Sequence, residues 1–393
     1  MQEGVRRVSR LKFSAKLRTL AAVSMRGTRG APEGGFRATI REVALTDDSA
    51  AREATWRSWR SVADLHHAYF TGLILTMVSR RGTVDAAEFV FRVFRRQQQE
   101  RFLPGLTKLG LDKLPPAVAA AQYHYLSNWI GGVHVEYMYE TDRKAWVRYP
   151  PPRWIWRGTA ICGVPGEVSR AMLRGWHANN GVALGNLNLG FVCTKQSLEG
   201  QDGLEGYYCE YDHPLLPDQR LVFAPHLEAP PFDAEAAPAL PVDSWPKPRL
   251  ERAYRNYAME YIRTAAPVAA QVFGPLDAAY LLHLTGKLIG MQYFDEIAPS
   301  LDARRGGAKD FADFLRALFL AQDDTVELAP SGDRYELHQR SWKLMADLPD
   351  YHPACLRLLE GLVEGLAAGC GRFISVRLTA PADGRPPFVW TIG

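Results

Sequence analysis

The sequence predicts an α+β protein of two similar domains, each a small antiparallel sheet of about four strands covered by helices. Three observations carry this. Apolar residues recur at helical spacing over long stretches and then give way to short strand-like runs joined by turn residues. That order occurs twice, at an offset near 191 residues. Between the two, Ala224 to Lys247 holds Pro225, Pro230, Pro231, Pro238, Pro241 and Pro246. Proline at this density continues neither a helix nor a central strand, so the stretch reads as an extended surface linker.

The elements follow in order. Val62, Leu65, Tyr69, Leu73 and Met77 place a helix over 60–80. Ala87, Val90, Phe91, Phe94 and Phe102 place a second over 85–103, with Gly105 as its stop, and a third covers 116–129. Val133 to Tyr137 and Ala145 to Tyr149 are expected to pair around a turn at Asp142, and Pro150-Pro151-Pro152 ends the hairpin. A helix over 166–180 comes next. Gly190 to Thr194 and Tyr207 to Tyr211 then form a second hairpin around Gly200-Gln201-Asp202-Gly203.

The second repeat has the same order. Its early helical run 279–296 matches 88–105. Its strands are Thr325 to Leu328, Tyr335 to His338, Phe373 to Leu378 and Pro387 to Ile392, with a late helix over 352–368. Val135-Glu136 matches Val326-Glu327, and Asp142-Arg143 matches Asp333-Arg334, both at 191. Met172-Leu173-Arg174-Gly175 matches Leu358-Leu359-Glu360-Gly361 at 186, and Asp202-Gly203 matches Asp383-Gly384 at 181. Small loop deletions produce such a shrinking offset. The expected organisation is a basic disordered tail over 1–45, a first domain over 55–222, a linker over 223–249 and a second domain over 250–393.

Composition excludes several classes. With 47% hydrophobic and 23% charged residues in 393, the chain can bury a large core and is not disordered as a whole. No apolar run reaches the ~18 residues of a membrane helix. Five cysteines do not make a disulfide framework, so a cytoplasmic protein is expected. Residues 1–40 carry nine Lys/Arg against Glu3 and Glu33, a charge of +7 in a chain of +4, so the other 353 residues carry −3. The tail reads as an unstructured extension with Met25 an alternative start, as a targeting segment (Arg6-Arg7), or as an arm for nucleic acid or acidic membrane. The remainder lacks basic–aromatic interleaving, so nucleic acid is not an expected partner; without an apolar run of membrane length neither is a membrane, while self-association stays open.

Comparing the repeats points to a site. Seven of ten histidines and seven of ten tryptophans lie between 56 and 226, among them His66, His67, His124, His134 and His213. On the matched numbering Trp176 stands opposite Leu362, His177 opposite Val363, Asn179 opposite Gly365, Cys193 opposite Ser375 and Cys209 opposite Trp390. Polar groups facing a core cost stability unless paired, so the first repeat is expected to bear a site and the second to be a scaffold. Cys193 and Cys209 are equidistant from residue 201, which makes them cross-strand neighbours if the turn is symmetric. With His177, and with His213 or Glu210, they could bind zinc; a thiolate beside a histidine could instead be a nucleophile; both could be plain buried side chains. His66 and His67 read as helix-surface or interface residues. Trp154 and Trp156 read as a packing clamp or a ligand wall, and Tyr207, Tyr208 and Tyr211 as sheet packing. Asn179-Asn180-Gly181 reads as a helix C-cap, and Arg95, Arg96 and Glu100 as a solvated face.

The element order, the late helix ending in Leu359-Glu360-Gly361-Leu362-Val363-Glu364-Gly365-Leu366 and the closing strand–Asp383-Gly384–strand resemble one group. These are the 4-vinyl-reductase-type ligand-binding domains and L-2-amino-thiazoline-4-carboxylate hydrolases. The resemblance covers roughly residues 60–215 and 250–393. It implies a pocket for a small, often aromatic or heterocyclic molecule. On this basis the expected function is hydrolysis of a ring-containing or amide/amidine-like small molecule. Cys193 would be nucleophile or polar anchor, His177 general base and Glu210 proton carrier or orienter. Trp154, Trp176 and Tyr208 would hold the substrate, Asn179 would orient it and Lys195 would contact its polar end. The other expectation is a non-catalytic binding or sensing protein with an enclosed apolar pocket. An assembly role through exposed helices is a third.

Overall fold

In the computed structural model the described residues are 35–393 apart from 242 and 350, with side chains described from residue 50. The expected tail over 1–45 falls outside them as far as residue 34. Helix α1 (Gly35–Arg81) leads into α2 (Thr83–Leu109) and α3 (Pro116–Ile130). Helix α2 runs past Pro104 and Gly105 and stops at Gly110, whose left-handed φ of 73° a side chain would resist. Gly105 has another task. A Cβ there would lie 2.6 Å from the Tyr123 ring, so the glycine lets α2 and α3 close on that ring.

A hairpin follows, β1 (Glu136–Thr141) with β2 (Lys144–Tyr149), turning at Asp142-Arg143 as expected. It starts three residues late because its partner β2 ends at Tyr149, before Pro150, which has no N–H to pair. Helix α4 (Gly166–Gly175) is shorter than its expected 166–180. It breaks at Trp176 into a 3₁₀ turn at His177–Asn179 and a single turn, α5 (Asn180–Ala183). Strands β3 (Leu189–Lys195) and β4 (Leu204–Glu210) form the second hairpin. Strand β5 (Leu221–Phe223) lies parallel to β3 and was not expected.

The second half holds α6 (Lys247–Phe273), α7 (Pro275–Ile297), α8 (Ala308–Ala321), β6 (Val326–Ser331), β7 (Arg334–Gln339), α9 (Leu356–Cys370), β8 (Val376–Thr379) and β9 (Phe388–Ile392). The sheet orders are β1-β2-β4-β3-β5 and β6-β7-β9-β8, the same path apart from β5. The fold is α+β with two sheets, and among the described residues no helix is long and apolar enough to cross a membrane.

The registers correct the matching of residues. Counting from the hairpin turns, Val147 corresponds to Leu337. Val147 faces Gly206, which faces Cys193; Leu337 faces Trp390, which faces Leu378. Cys193 therefore corresponds to Leu378 and not to Ser375, and Trp390 to Gly206 and not to Cys209. Loop lengths, invisible to a smooth offset, cause the slip. The helix match stands: a Cβ on Gly175 would meet the Phe91 carbonyl of α2 at 2.6 Å, and one on Gly361 the His283 carbonyl of α7 at 2.2 Å.

From Ala50 to Gly393 the chain is one compact unit with a continuous core, and the halves interlock. Helix α1 lies on α7: the Tyr69 hydroxyl donates to the Leu282 carbonyl at 2.7 Å, and Thr285 donates to Thr76 at 3.0 Å. Helix α6 lies on α2 and α3: Gln97 donates to the Glu260 carbonyl at 3.1 Å, and Tyr257 donates to Asn128 at 3.0 Å. Helices α7 and α9 touch backbone to backbone at Gly286, Gly290, Gly361 and Gly365. Gly361→Ala is expected to destabilise the protein by about 1–3 kcal/mol even after its gain in helix propensity, because neither backbone can yield. Urea denaturation of the variant checks this; an unchanged midpoint would mean the helices do not meet there.

Candidate functional site

A cavity of about 520 Å³ opens where α6 crosses α2 and α3. Buried Tyr123, His124, Tyr149, Arg153, Met172, His177 and Tyr261 line its depth. Exposed Arg101, Lys108, Arg249 and Arg252 line its rim. Phe94, Trp176 and Tyr257 complete an aromatic wall. The wall stands because helical spacing aims α6's Tyr257 and Tyr261 back at the first half. The Tyr261 ring packs 5.8 Å from Phe94 and 4.7 Å from Trp154, which stands behind it.

At the inner end a polar network is built on Asn180, which is fully buried. Its Nδ2 donates to the Tyr208 hydroxyl at 2.8 Å and to His124 Nε2 at 3.1 Å, while its Oδ1 accepts from Gln98 at 3.4 Å. His124 Nε2 is thus an acceptor, so in the neutral ring Nδ1 carries the proton and donates to the Tyr149 hydroxyl at 3.0 Å. The hydroxyl proton of Tyr149 is then free for the cavity that Tyr149 lines. Burial raises the Tyr149 and Tyr208 pKa values, so both remain donors.

His177 stacks on His124 with ring centroids 4.2 Å apart and planes 14° apart, and packs against Phe191 at 4.6 Å. It is 5% exposed, and neither ring nitrogen has a hydrogen-bond partner among the described residues. The same holds for Trp176 Nε1 and for Nε and Nη1 of Arg153. Burial, with help from Arg153, lowers His124 to about 3, and burial, His124 and Arg153 push His177 well below its ordinary range. Both rings are neutral at pH 7.

Of the residues chosen from sequence, the structure brings Trp176 and His177 to the cavity and puts Tyr208 directly behind them. Cys193 does not line it. The thiol is buried, donates to the Lys195 carbonyl at 3.4 Å, and burial pushes it up to about 12. The Phe191 ring lies over Gly206, directly across from Cys193. Cys209 pairs with Gly190, three positions along from Cys193, an odd offset, and so points to the opposite face of the sheet. The cluster imagined for zinc is therefore not assembled; the β3 register, shifted past Cys193, makes the turn asymmetric. Among the described residues no group of three His, Cys, Asp or Glu could hold a metal ion.

Glu210 closes β4 opposite Leu189 and does not line the cavity. Asn179 caps α4, donating to the Arg174 carbonyl at 2.7 Å. Lys195 is engaged on the outer sheet face by Glu228 at 2.5 Å and Asp202 at 3.3 Å. Trp154 stacks on His67 at 4.4 Å. His66 and His67 are buried, not on a helix surface; His66 Nδ1 bonds the Val62 carbonyl at 2.7 Å. Sequence reasoning passed over Asn180, Tyr149 and Arg153, which sit beside a helix cap and a proline run and carry no spacing signal.

The second half has no such cavity residues at the matching places. Val363 stands for His177, by the Gly175–Gly361 match, and Ile392 for Tyr208, by register. At the 191 offset Leu315 stands for His124, and all three are fully buried. That half keeps polar sets of its own, among them Gln339 between Trp390 and Asp324, where the amide oxygen and nitrogen both have partners. Compared with family models, with curated proteins and with solved structures, the chain gives no match.

His66, His67, His124 and His177 are all held neutral, the first two lowered by burial to about 4 and about 3. Each takes up a proton near pH 6.5 once unfolded. Stability from the neutral rings is thus complete above about pH 7 and falls as pH drops from about 6.5 toward 3–4. At pH 5 the loss should be on the order of 1–2 kcal/mol per ring. Urea titrations of wild type and His66→Gln at pH 7.5 and pH 5 test this: the variant is expected to lose less stability than wild type on acidification, and an equal change in both would refute it.

Proposed function

We propose that this protein binds a small aromatic or heterocyclic molecule in the cavity between α2, α3 and α6. The observation that carries the reading is that Arg153, Trp176 and His177, whose buried nitrogens lack hydrogen-bond partners among the described residues, are side chains of one aromatic-walled cavity. Natural proteins seldom leave buried polar groups unpaired without a use for them. A cavity of about 520 Å³ suits a small ring system. We further read the halves as a tandem duplication of one domain, with the first half keeping the site and the second serving as scaffold. The resemblance to 4-vinyl-reductase-type ligand-binding domains agrees with that division.

Hydrolysis has less support. It needs a nucleophile at the cavity, and the Cys193 thiol is protonated at neutral pH and turned to a backbone carbonyl. His177 is neutral and unpartnered among the described residues, but burial, His124 and Arg153 hold its pKa well below the ordinary range, which makes it a weak base.

Calorimetric titration with indole is expected to show a saturable heat of binding as the probe enters the cavity beside Trp176. Ser127→Trp, which puts a large ring into the lining, should abolish the response, and Cys193→Ala should retain it. A turnover of cyclic amides or amidines that vanishes in Cys193→Ala would reverse this reading in favour of the hydrolase.

A further inference from the structure

The guanidinium of Arg153 is 7% exposed and makes no ion pair among the described residues. Its Nη2 reaches only the Met172 sulfur at 3.8 Å, and its flat face lies 4.6 Å from the Tyr149 ring centroid. Those contacts orient the group without neutralising it. A buried charge with no counter-charge is costly, and arginine keeps its proton even there. The two carboxylates of the cavity wall are committed elsewhere, Glu260 to Arg101 and Glu100 to Arg96. With Lys108, Arg249 and Arg252 also on the wall, cations outnumber carboxylates five to two. Such a surplus attracts anions into a low-dielectric cleft.

We propose that Arg153 is an anion receptor, so that the ligand of this cavity carries an oxyanion on its ring, a carboxylate or a phosphate, held by the Arg153 guanidinium. This rests on the reading of the cavity as an aromatic-ligand site and names the chemical class of that ligand. The Tyr149 hydroxyl proton, released from His124 by the tautomer that Asn180 selects, adds a neutral donor beside the guanidinium. The indole N–H of Trp176 and the neutral imidazole of His177 serve other polar positions on the ring. Charge recognition thus lies at the depth of the cavity and the basic rim guides the ligand inward.

Calorimetric titration of the full chain with benzamide, benzoate and phenyl phosphate tests this. Wild-type protein should prefer benzoate or phenyl phosphate over neutral benzamide by about 10- to 100-fold, the value of a hydrogen bond to a charged group. The better of the two anions identifies the oxyanion. Arg153→Gln should erase the preference, weakening the anions about 10- to 100-fold more than it weakens benzamide, and Arg153→Lys should keep part of it. The ligand-free Arg153→Gln protein should melt no lower than wild type, since it loses an unpaired buried charge; a purely structural arginine would lower the melting point. Equal binding of all three probes by wild type, or a preference that survives Arg153→Gln, overturns the anion receptor and leaves the aromatic site standing. Failure of all three probes to bind wild type removes both. Should Arg153→Gln not fold, the wild-type preference and Arg153→Lys still decide the matter.

Discussion

The architecture depends on the crossing of α6 over α2 and α3. Each half offers a sheet and helices that could cover it, but α1 also lies on α7, and α6, besides packing on α7, lies on α2 and α3 of the first half. Tyr257 and Tyr261 therefore leave the half that encodes them and become walls of a cavity in the other. Close approach makes this work: Gly131 and Gly132 lie so near the rings of Tyr257 and Tyr254 that a Cβ would sit 2.5 Å and 2.3 Å away. Without the crossing, Phe94 and Trp176 would face solvent and no concavity would exist.

The same plan, used twice, ends in two different interiors. At the middle of β9, Trp390 fills the space between sheet and helices, and Gln339 satisfies its indole. At the matching point of β4 stands Gly206, over which the Phe191 ring folds down. The room above is left to His124, His177 and Tyr149. A core filled by Leu315, Val363 and Ile392 gains from transfer out of water and needs no partners. A core holding histidines and an arginine gains less and needs partners for each, and here several go without. This lower stability is the kind that binding sites retain, because a ligand that satisfies the polar groups recovers it on binding.

Much of the fold was legible. Hydrophobic period and turn chemistry are local, so α2, α3, α7, both hairpin turns and the late helix of the second half stood out in the residues themselves. Boundaries slipped where tertiary contact overrode a local signal: α2 runs through Pro104-Gly105 because Gly105 serves the Tyr123 ring, and α4 breaks at Trp176 so that Asn180 can turn inward. Strand β5 had no signal, being three residues that pair only because β3 offers a free edge. The site was legible in part. His177 and Trp176 emerged from unequal polarity at matched positions. Cys193, Glu210 and Lys195 did not belong, since strand register decides which face and which end a residue occupies, and an offset of a few residues in a loop is enough to misplace it.

What the amino-acid order determined alone is the pair of α+β halves, their shared element sequence and the concentration of histidine and tryptophan in the first. Those properties depend on neighbours within a few residues and survive any arrangement of the elements. What the tertiary structure decided is which buried groups are left without partners. Arg153 and Asn180 look alike in sequence, two polar residues next to structural punctuation. One spends its hydrogen bonds on Tyr208, His124 and Gln98, brought in from three other elements, and the other meets only a thioether and a ring face. Partnering is a relation between distant segments, so it exists only once the chain has folded.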